Sequence, residues 1–256
     1  MKNKQTAILV GIIVLIVAAV AYYFFVMQPK QEKSRIVSQE ETSATKPEEV
    51  KPEENIPAIE VNLNESDPLV RKLAEILSAN PTFARWLVSD SLIRRFVTTV
   101  DLIDTDDTIR RPLDFILITG NFTVREEDGR IFLDPKSYQR YDRFTDVILS
   151  IDSEGCAKLY KQLRLPIQQA YRELGYPDED FNIALEKAIR KLLATPIVED
   201  RIYLEKGILT YRMVDPNLQN LSPAQKHLLR MGPENVRRIQ TKLKEIAYYL
   251  GFSLQD

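Results

Sequence analysis

Apolar residues run uninterrupted by charge from Ala7 to Met27, and beyond Glu65 they recur every three to four positions. The first pattern predicts a membrane-spanning helix. Its 21 residues, at about 1.5 Å each, cover roughly the hydrocarbon thickness of a bilayer. In lipid the backbone must pair with itself, so a helix is the state available. Tyr22 and Tyr23 stand toward one end, where amphipathic rings favour the interface. Ala19-Val20-Ala21 has the spacing of a signal-peptide cleavage site. The chain stays apolar through Met27, which favours an uncleaved anchor over removal.

The second pattern predicts helices with one buried face. Leu69, Leu73, Ile76 and Leu77 make the first stripe; Ile93, Phe96, Val97, Val100 and Ile103 make the next. Tyr141, Phe144, Val147, Ile148 and Ile151 follow, then Leu159, Tyr160, Leu163, Ile167, Tyr171 and Leu174, with a kink or break at Pro166. Phe181, Leu185, Ile189, Leu192 and Leu193 precede a final stripe of Val236, Ile239, Leu243, Ile246 and Leu250, closed by Gly251. Asp67-Pro68, Asp134-Pro135 and Ser222-Pro223 each put a capping side chain before a proline, which fits a helix start. Ser222 and Gln225 have capping-box spacing. Two segments instead read as β-hairpins around Asp128-Gly129 and Lys206-Gly207: 121–126 with 130–134, and 201–204 with 208–213. Both hairpins can join one small antiparallel sheet. The expected class is α+β, mainly helical.

Between anchor and helices, residues 28–64 hold eight Glu, five Lys or Arg and four Pro, with no glycine and no aromatic residue. Such composition buries too little apolar surface to offset its ordering entropy. It reads as a disordered tether. The organisation is therefore a flank at 1–6, a transmembrane helix at 7–27, a linker at 28–64 and a globular domain at 65–256.

Charge narrows the chemistry. The net charge is -2, and from Glu65 onward 28 basic residues face 29 acidic ones, so no broad positive field points to nucleic acid. Cys156 and His227 are each the only residue of their kind. A disulfide within the chain, a cysteine zinc site and a histidine-paired nucleophile all lack raw material. His227 reads as a surface or packing residue. No Gly-rich phosphate loop and no Gly-x-Ser-x-Gly elbow is present. The expectation is no cofactor, no metal and no assigned catalytic residue.

Carboxylates are the catalytic type in free supply. Asp178, Glu179 and Asp180 suit a helix N-terminus, and Glu126, Glu127 and Asp128 suit a solvated turn. Asp101, Asp104, Asp106 and Asp107 fit a calcium loop poorly, having neither its glycine nor its closing glutamate. Arg94-Arg95, Arg110-Arg111 and Arg237-Arg238 are the candidate anion-binding residues. Neighbours on a helix point about 100° apart, so ion pairing on solvated faces is the stronger reading. Gly232-Pro233 separates two helices, and its new N-terminus is a candidate anion site; a tight packing corner is the stronger alternative.

Four runs resemble a known family: RRFVTTVD at 94–101, LDPKSYQRYD at 133–142, AYRELGYPDEDFN at 170–182 and LSPAQKHLLRMGPENVRRI at 221–239. The chain resembles Domain of Unknown Function 3014. The resemblance implies a membrane-associated bacterial protein with this order of anchor, tether and domain, and it carries no catalytic residue. The expected function is a non-catalytic interaction or scaffolding module. The bilayer contact is residues 7–27, the domain is periplasmic, and the partner is an envelope protein. The alternatives are a carboxylate-dependent glycan hydrolase and a binder of anionic lipid or polymer. Basic charge is nearly balanced about the anchor (Lys2 and Lys4 against Lys30, Lys33 and Arg35), so the positive-inside rule contributes little to the orientation.

Overall fold

The computed structural model describes residues 56–107, 120–207 and 210–254. The flank at 1–6, the span at 7–27, the tether up to residue 55, and Arg110-Arg111 lie outside the described residues. Within the described residues no helix is long and apolar enough to cross a membrane.

The chain is mainly helical with one small antiparallel sheet. In order come α1 (Asp67–Ala74), α2 (Pro81–Trp86) and α3 (Leu92–Asp104), then the hairpin β1 (Val124–Glu127) and β2 (Arg130–Leu133). Four helices follow: α4 (Asp142–Leu149), α5 (Ser153–Gln162), α6 (Arg164–Glu173) and α7 (Phe181–Leu193). The second hairpin, β3 (Tyr203–Lys206) and β4 (Tyr211–Met213), leads to α8 (Pro216–Gln219), α9 (Pro223–Leu229) and α10 (Pro233–Leu250). Both expected hairpins form, and β2 pairs with β3 so that the strands run in the order β1-β2-β3-β4. Asp128 and Gly129 turn the first hairpin with positive φ, as a two-residue connection requires.

Most expected stripes are buried as drawn. Ile93, Phe96, Val97, Val100 and Ile103 of α3 face Phe181, Leu185 and Ile189 of α7 in one core. Val236, Ile239, Leu243 and Ile246 close the same core from α10. A smaller cluster of Leu133, Leu204, Met213, Leu218 and Leu229 lies under the sheet and joins it to α9. The first stripe is out of phase. Val70, Ala74 and Leu77 are buried, while Ile76 is 80% exposed. Val70, Ala74 and Leu77 are spaced i, i+4, i+7, so Ile76 falls about 120° from the face they share, and the helix ends in a 3-10 turn over Glu75–Leu77. Leu174 also emerges, 42% exposed. The break between α5 and α6 falls at Leu163 rather than Pro166. Pro166 sits in the first turn of α6, where an amide hydrogen has no intrahelical partner to lose.

The folded body begins before the composition predicts. Residues 56–64 belong to the expected tether, yet Leu63 is buried, the Ile59 amide donates to Gln162 O at 2.8 Å, and Arg164 donates to Ile56 O at 2.8 Å. Ile56, Ile59, Val61 and Leu63 put apolar groups into a stretch otherwise polar, enough to lay it across the α5–α6 junction.

The expected caps divide. Asp134, Ser222 and Asp180 cap their own helices, and Ser222 with Gln225 completes a capping box. Asp67 serves a different helix. Its carboxylate accepts the amides of Ser91 and Leu92, the latter at 2.8 Å, at the start of α3. Ser91 has φ +60° and offers no side-chain cap of its own. Asp67 therefore pins α1 to α3. Asp67→Ala is expected to destabilise the domain by about 1–2 kcal/mol, read in urea denaturation. Equal stability of variant and parent would show that water replaces this cap.

Candidate anion-binding site

Helix α9 is fixed on one side and charged on the other. Ala224, Leu228 and Leu229 are buried, and Gln225 Nε2 donates to Lys191 O of α7 at 3.1 Å. Lys226, His227 and Arg230 occupy the remaining sector. Lys226 and Arg230, four residues apart, project within about 40° of each other, and His227 projects about 60° from Arg230. All three are half-buried.

No acid answers these cations. From Leu221 to Pro233 the sequence contains neither Asp nor Glu. Lys226 Nζ donates to the Gln219 carbonyl at 3.0 Å. Among the described residues no hydrogen bond or ion pair engages the Arg230 guanidinium or the His227 ring. Burial pushes the pKa of Arg230 down, and its one favourable electrostatic neighbour is the Tyr141 phenol. Burial likewise lowers Lys226, with Arg230 adding repulsion. His227 is lowered to about 4 by burial, then by Arg230 and Lys226. Since its folded pKa lies below the ordinary 6.5, its contribution to stability is complete above that value and is lost as pH falls toward 4.

The group outside α9 that acts on Arg230 is Tyr141, the last residue of the 3-10 turn Pro135–Tyr141. Arg140 Nη2 donates to Tyr141 Oη at 3.1 Å, while its other nitrogens reach Ser137 O and Gly120 O. Its guanidinium also lies over the rings of Phe122 and Tyr141. Arg140 thus holds the phenol that faces Arg230. Half-buried guanidinium without a counter-ion is costly, and here it stands beside an ammonium, an imidazole and a phenol. Helix C-termini favour cations by about 0.3–1 kcal/mol, which eases the burial of Lys226 and Arg230 but supplies no counter-charge. The arrangement can receive an anion.

The two described arginine pairs, Arg94-Arg95 and Arg237-Arg238, are engaged elsewhere. Arg94 pairs with Glu173 at 2.9 Å and with Asn64 at 2.8 Å. Arg95 donates to the Asp90 carbonyl. Arg237 pairs with Glu199 and with Glu234, the latter at 3.0 Å, and Arg238 pairs with Asp146 at 2.8 Å. Gly232 and Pro233 form a corner closed by the Tyr138 ring, 2.4 Å from where a Cβ on Gly232 would stand. Four of the candidate acids are also engaged. Asp180 caps α7, Glu127 pairs with Arg201 at 2.6 Å, and Asp106 pairs with Lys191 at 2.9 Å. Asp101 has its pKa raised by burial and is held by the Tyr176 hydroxyl. Among the described residues no group of three acids, histidines or cysteines is placed to hold a metal ion.

Lys226 and Arg230 escape a search for adjacent arginines. The legible signal is a basic i, i+4 pair in a thirteen-residue run without acid. Tyr141 comes from 89 positions before Arg230, and no local pattern announces it.

Fold and site together define a mainly helical α+β domain with an uncompensated cationic surface. Residues 92–247 match the family described as protein of unknown function (DUF3014), and the chain belongs to that family. No curated protein and no solved structure matches the chain. The four runs that carry the resemblance meet in two joints. Arg94 pairs with Glu173, and Phe96 packs on Phe181 with ring centroids 5.4 Å apart. Tyr138 packs on Gly232, and Asn235 Nδ2 donates to Asp142 at 2.9 Å.

Proposed function

We propose that this chain is a non-catalytic interaction module, tethered to the bacterial inner membrane through residues 7–27, with its domain on the periplasmic side. It recognises an acidic group of an envelope partner at the Lys226–His227–Arg230 surface. One observation carries the reading: three half-buried basic side chains face one sector with no carboxylate among the charges acting on them. Cationic residues that serve only solubility pair with acids or extend into water, as Arg237 and Arg238 do. Desolvating a cation without a partner costs free energy that a bound anion returns.

Crosslinking of the full-length chain in intact cells tests this. Arg230→Glu is expected to abolish the partner adducts while the amount of protein in the membrane fraction is unchanged. Arg237→Glu, which alters a charge already paired, is expected to leave them. Identical adducts in wild type and Arg230→Glu overturn the assignment. A reporter active only in the cytoplasm, fused after Asp256, is expected to be silent; activity reverses the orientation.

A further inference from the structure

We infer that the ligand class of this surface is a phosphomonoester, and that His227 takes up a proton as the dianion seats. The inference rests on the proposed function and specifies it. Charge count comes first. Lys226 and Arg230 supply two permanent positive charges, and a single carboxylate neutralises one of them. A phosphomonoester carries about two negative charges near neutral pH. Geometry comes second. Lys226, His227 and Arg230 spread over about 100° of one face of α9, and three donors so spread match a group with three terminal oxygens better than a carboxylate with two.

The proton follows from what faces His227. On its own helix it meets Lys226 and Arg230, both repelling an imidazolium. From the elements packed on α9, the Gln219 carbonyl of α8 takes Lys226, the Lys191 carbonyl of α7 takes Gln225, and Tyr141 acts on Arg230. No carboxylate acts on the imidazole, so it stays neutral to about pH 4. A dianion between the two cations reverses the sign of that local field, and the imidazole then binds a proton from solvent and donates a second hydrogen bond. An apolar anchor in the bilayer also brings the domain within reach of phosphate head groups. The same chemistry is therefore presented by a soluble phosphomonoester and by phosphatidic acid.

His227 is the only histidine of the chain, so its imidazole can be titrated alone by nuclear magnetic resonance. The full-length chain in phosphatidylcholine vesicles is expected to show a His227 midpoint near pH 4. Millimolar inorganic phosphate is expected to raise it by about 2 units or more. The same rise on replacing part of the lipid with phosphatidic acid, with no response to free phosphate, assigns the head group as the source. A rise with free phosphate alone assigns a soluble ligand. Acetate and phosphatidylglycerol, singly charged, are expected to move the midpoint by less than half as much. Arg230→Gln is expected to remove the response, and His227→Gln to weaken phosphate binding about tenfold at pH 6. An unmoved wild-type midpoint with phosphate and with phosphatidic acid overturns the inference. So does an equal shift with acetate at equal ionic strength. If either occurs while the adducts in cells still depend on Arg230, the recognition surface stands and its phosphate assignment falls.

Discussion

Replacing Lys242 with methionine is expected to stabilise the protein and to remove most of its pH dependence above neutrality. Lys242 lies on α10 with no exposed surface, and its Nζ donates to the Ile151 carbonyl at 3.2 Å, just past the end of α4. Burial lowers its pKa from 10.5 to about 6, against the weaker opposing effects of Glu245, Cys156 and Asp152. The folded amine is therefore neutral at pH 7 while the unfolded one is charged. Between those values the unfolded state binds the extra proton, so stability rises with pH by about 1.4 kcal/mol per unit. At pH 7 the lysine costs on the order of 4–5 kcal/mol relative to a group that needs no deprotonation. Methionine keeps the length and the packing but leaves the Ile151 carbonyl without its donor, a loss of about 1–3 kcal/mol. The net expectation is a gain of about 1–4 kcal/mol, at roughly 2–4 °C in Tm per kcal/mol for a domain of this size. Denaturation between pH 7 and 9 gives both readouts. His227 has finished titrating below that window, so it adds no slope there. Lys242→Ala is the contrast, since a cavity replaces the stem. A methionine variant less stable than wild type, with the same slope, would mean that the amine is charged and solvated in the folded state.

A lysine at this position illustrates what periodicity discloses and what it leaves out. Val236, Ile239, Leu243 and Ile246 mark the buried face of α10 by spacing alone, and they are buried. Lys242 lies three residues after Ile239 and four before Ile246, at the margin of that face, and α5 and α4 flank α10 and cover it. The width of a buried face depends on how many helices pack around it, and that is a tertiary fact. The same limit explains α1, where Val70, Ala74 and Leu77 make the buried face while Leu69 and Leu73 are half-buried and Ile76 is exposed. Signals carried by backbone chemistry fared better. Asp128-Gly129 made its hairpin and Ser222-x-x-Gln225 made its box, because both depend on residues within three positions. Asp67 shows the boundary between the two cases. Its type announces a cap, but the amides it accepts lie 24 and 25 residues away. The site divides in the same way. Lys226 and Arg230 are a local pair legible from spacing and missing acid, whereas their burial and the approach of Tyr141 need the fold.

Gly232→Ala is expected to destabilise the domain by about 3–4 kcal/mol, and up to about half of that loss is expected to depend on Tyr138. Gly232 has φ +87° and ψ 160°, a combination that residues with a side chain scarcely adopt. Forcing alanine there costs about 1–3 kcal/mol. A Cβ would also lie 2.4 Å from Tyr138 Cγ and 2.8 Å from its Cβ, close to the backbone where the ring cannot swing aside. Overpacking of that kind adds about 1–3 kcal/mol. Tyr138→Ala removes the ring but keeps the Cβ 2.8 Å away, so it relieves the clash in part, and the double variant should be less stable than wild type but more stable than the sum of the single losses, by about 1–2 kcal/mol. Additivity within about 0.5 kcal/mol would place the whole effect in the backbone and none in the contact. The corner also fixes how α9 ends against the 135–141 turn, because Tyr138 on that turn packs on Gly232 while Tyr141 on the same turn faces Arg230. Displacing Tyr138 therefore moves the phenol from the guanidinium. In the folded population, Gly232→Ala is expected to weaken the phosphate response of His227 as well. An unchanged response would separate the corner from the recognition surface and leave Gly232 a purely structural residue.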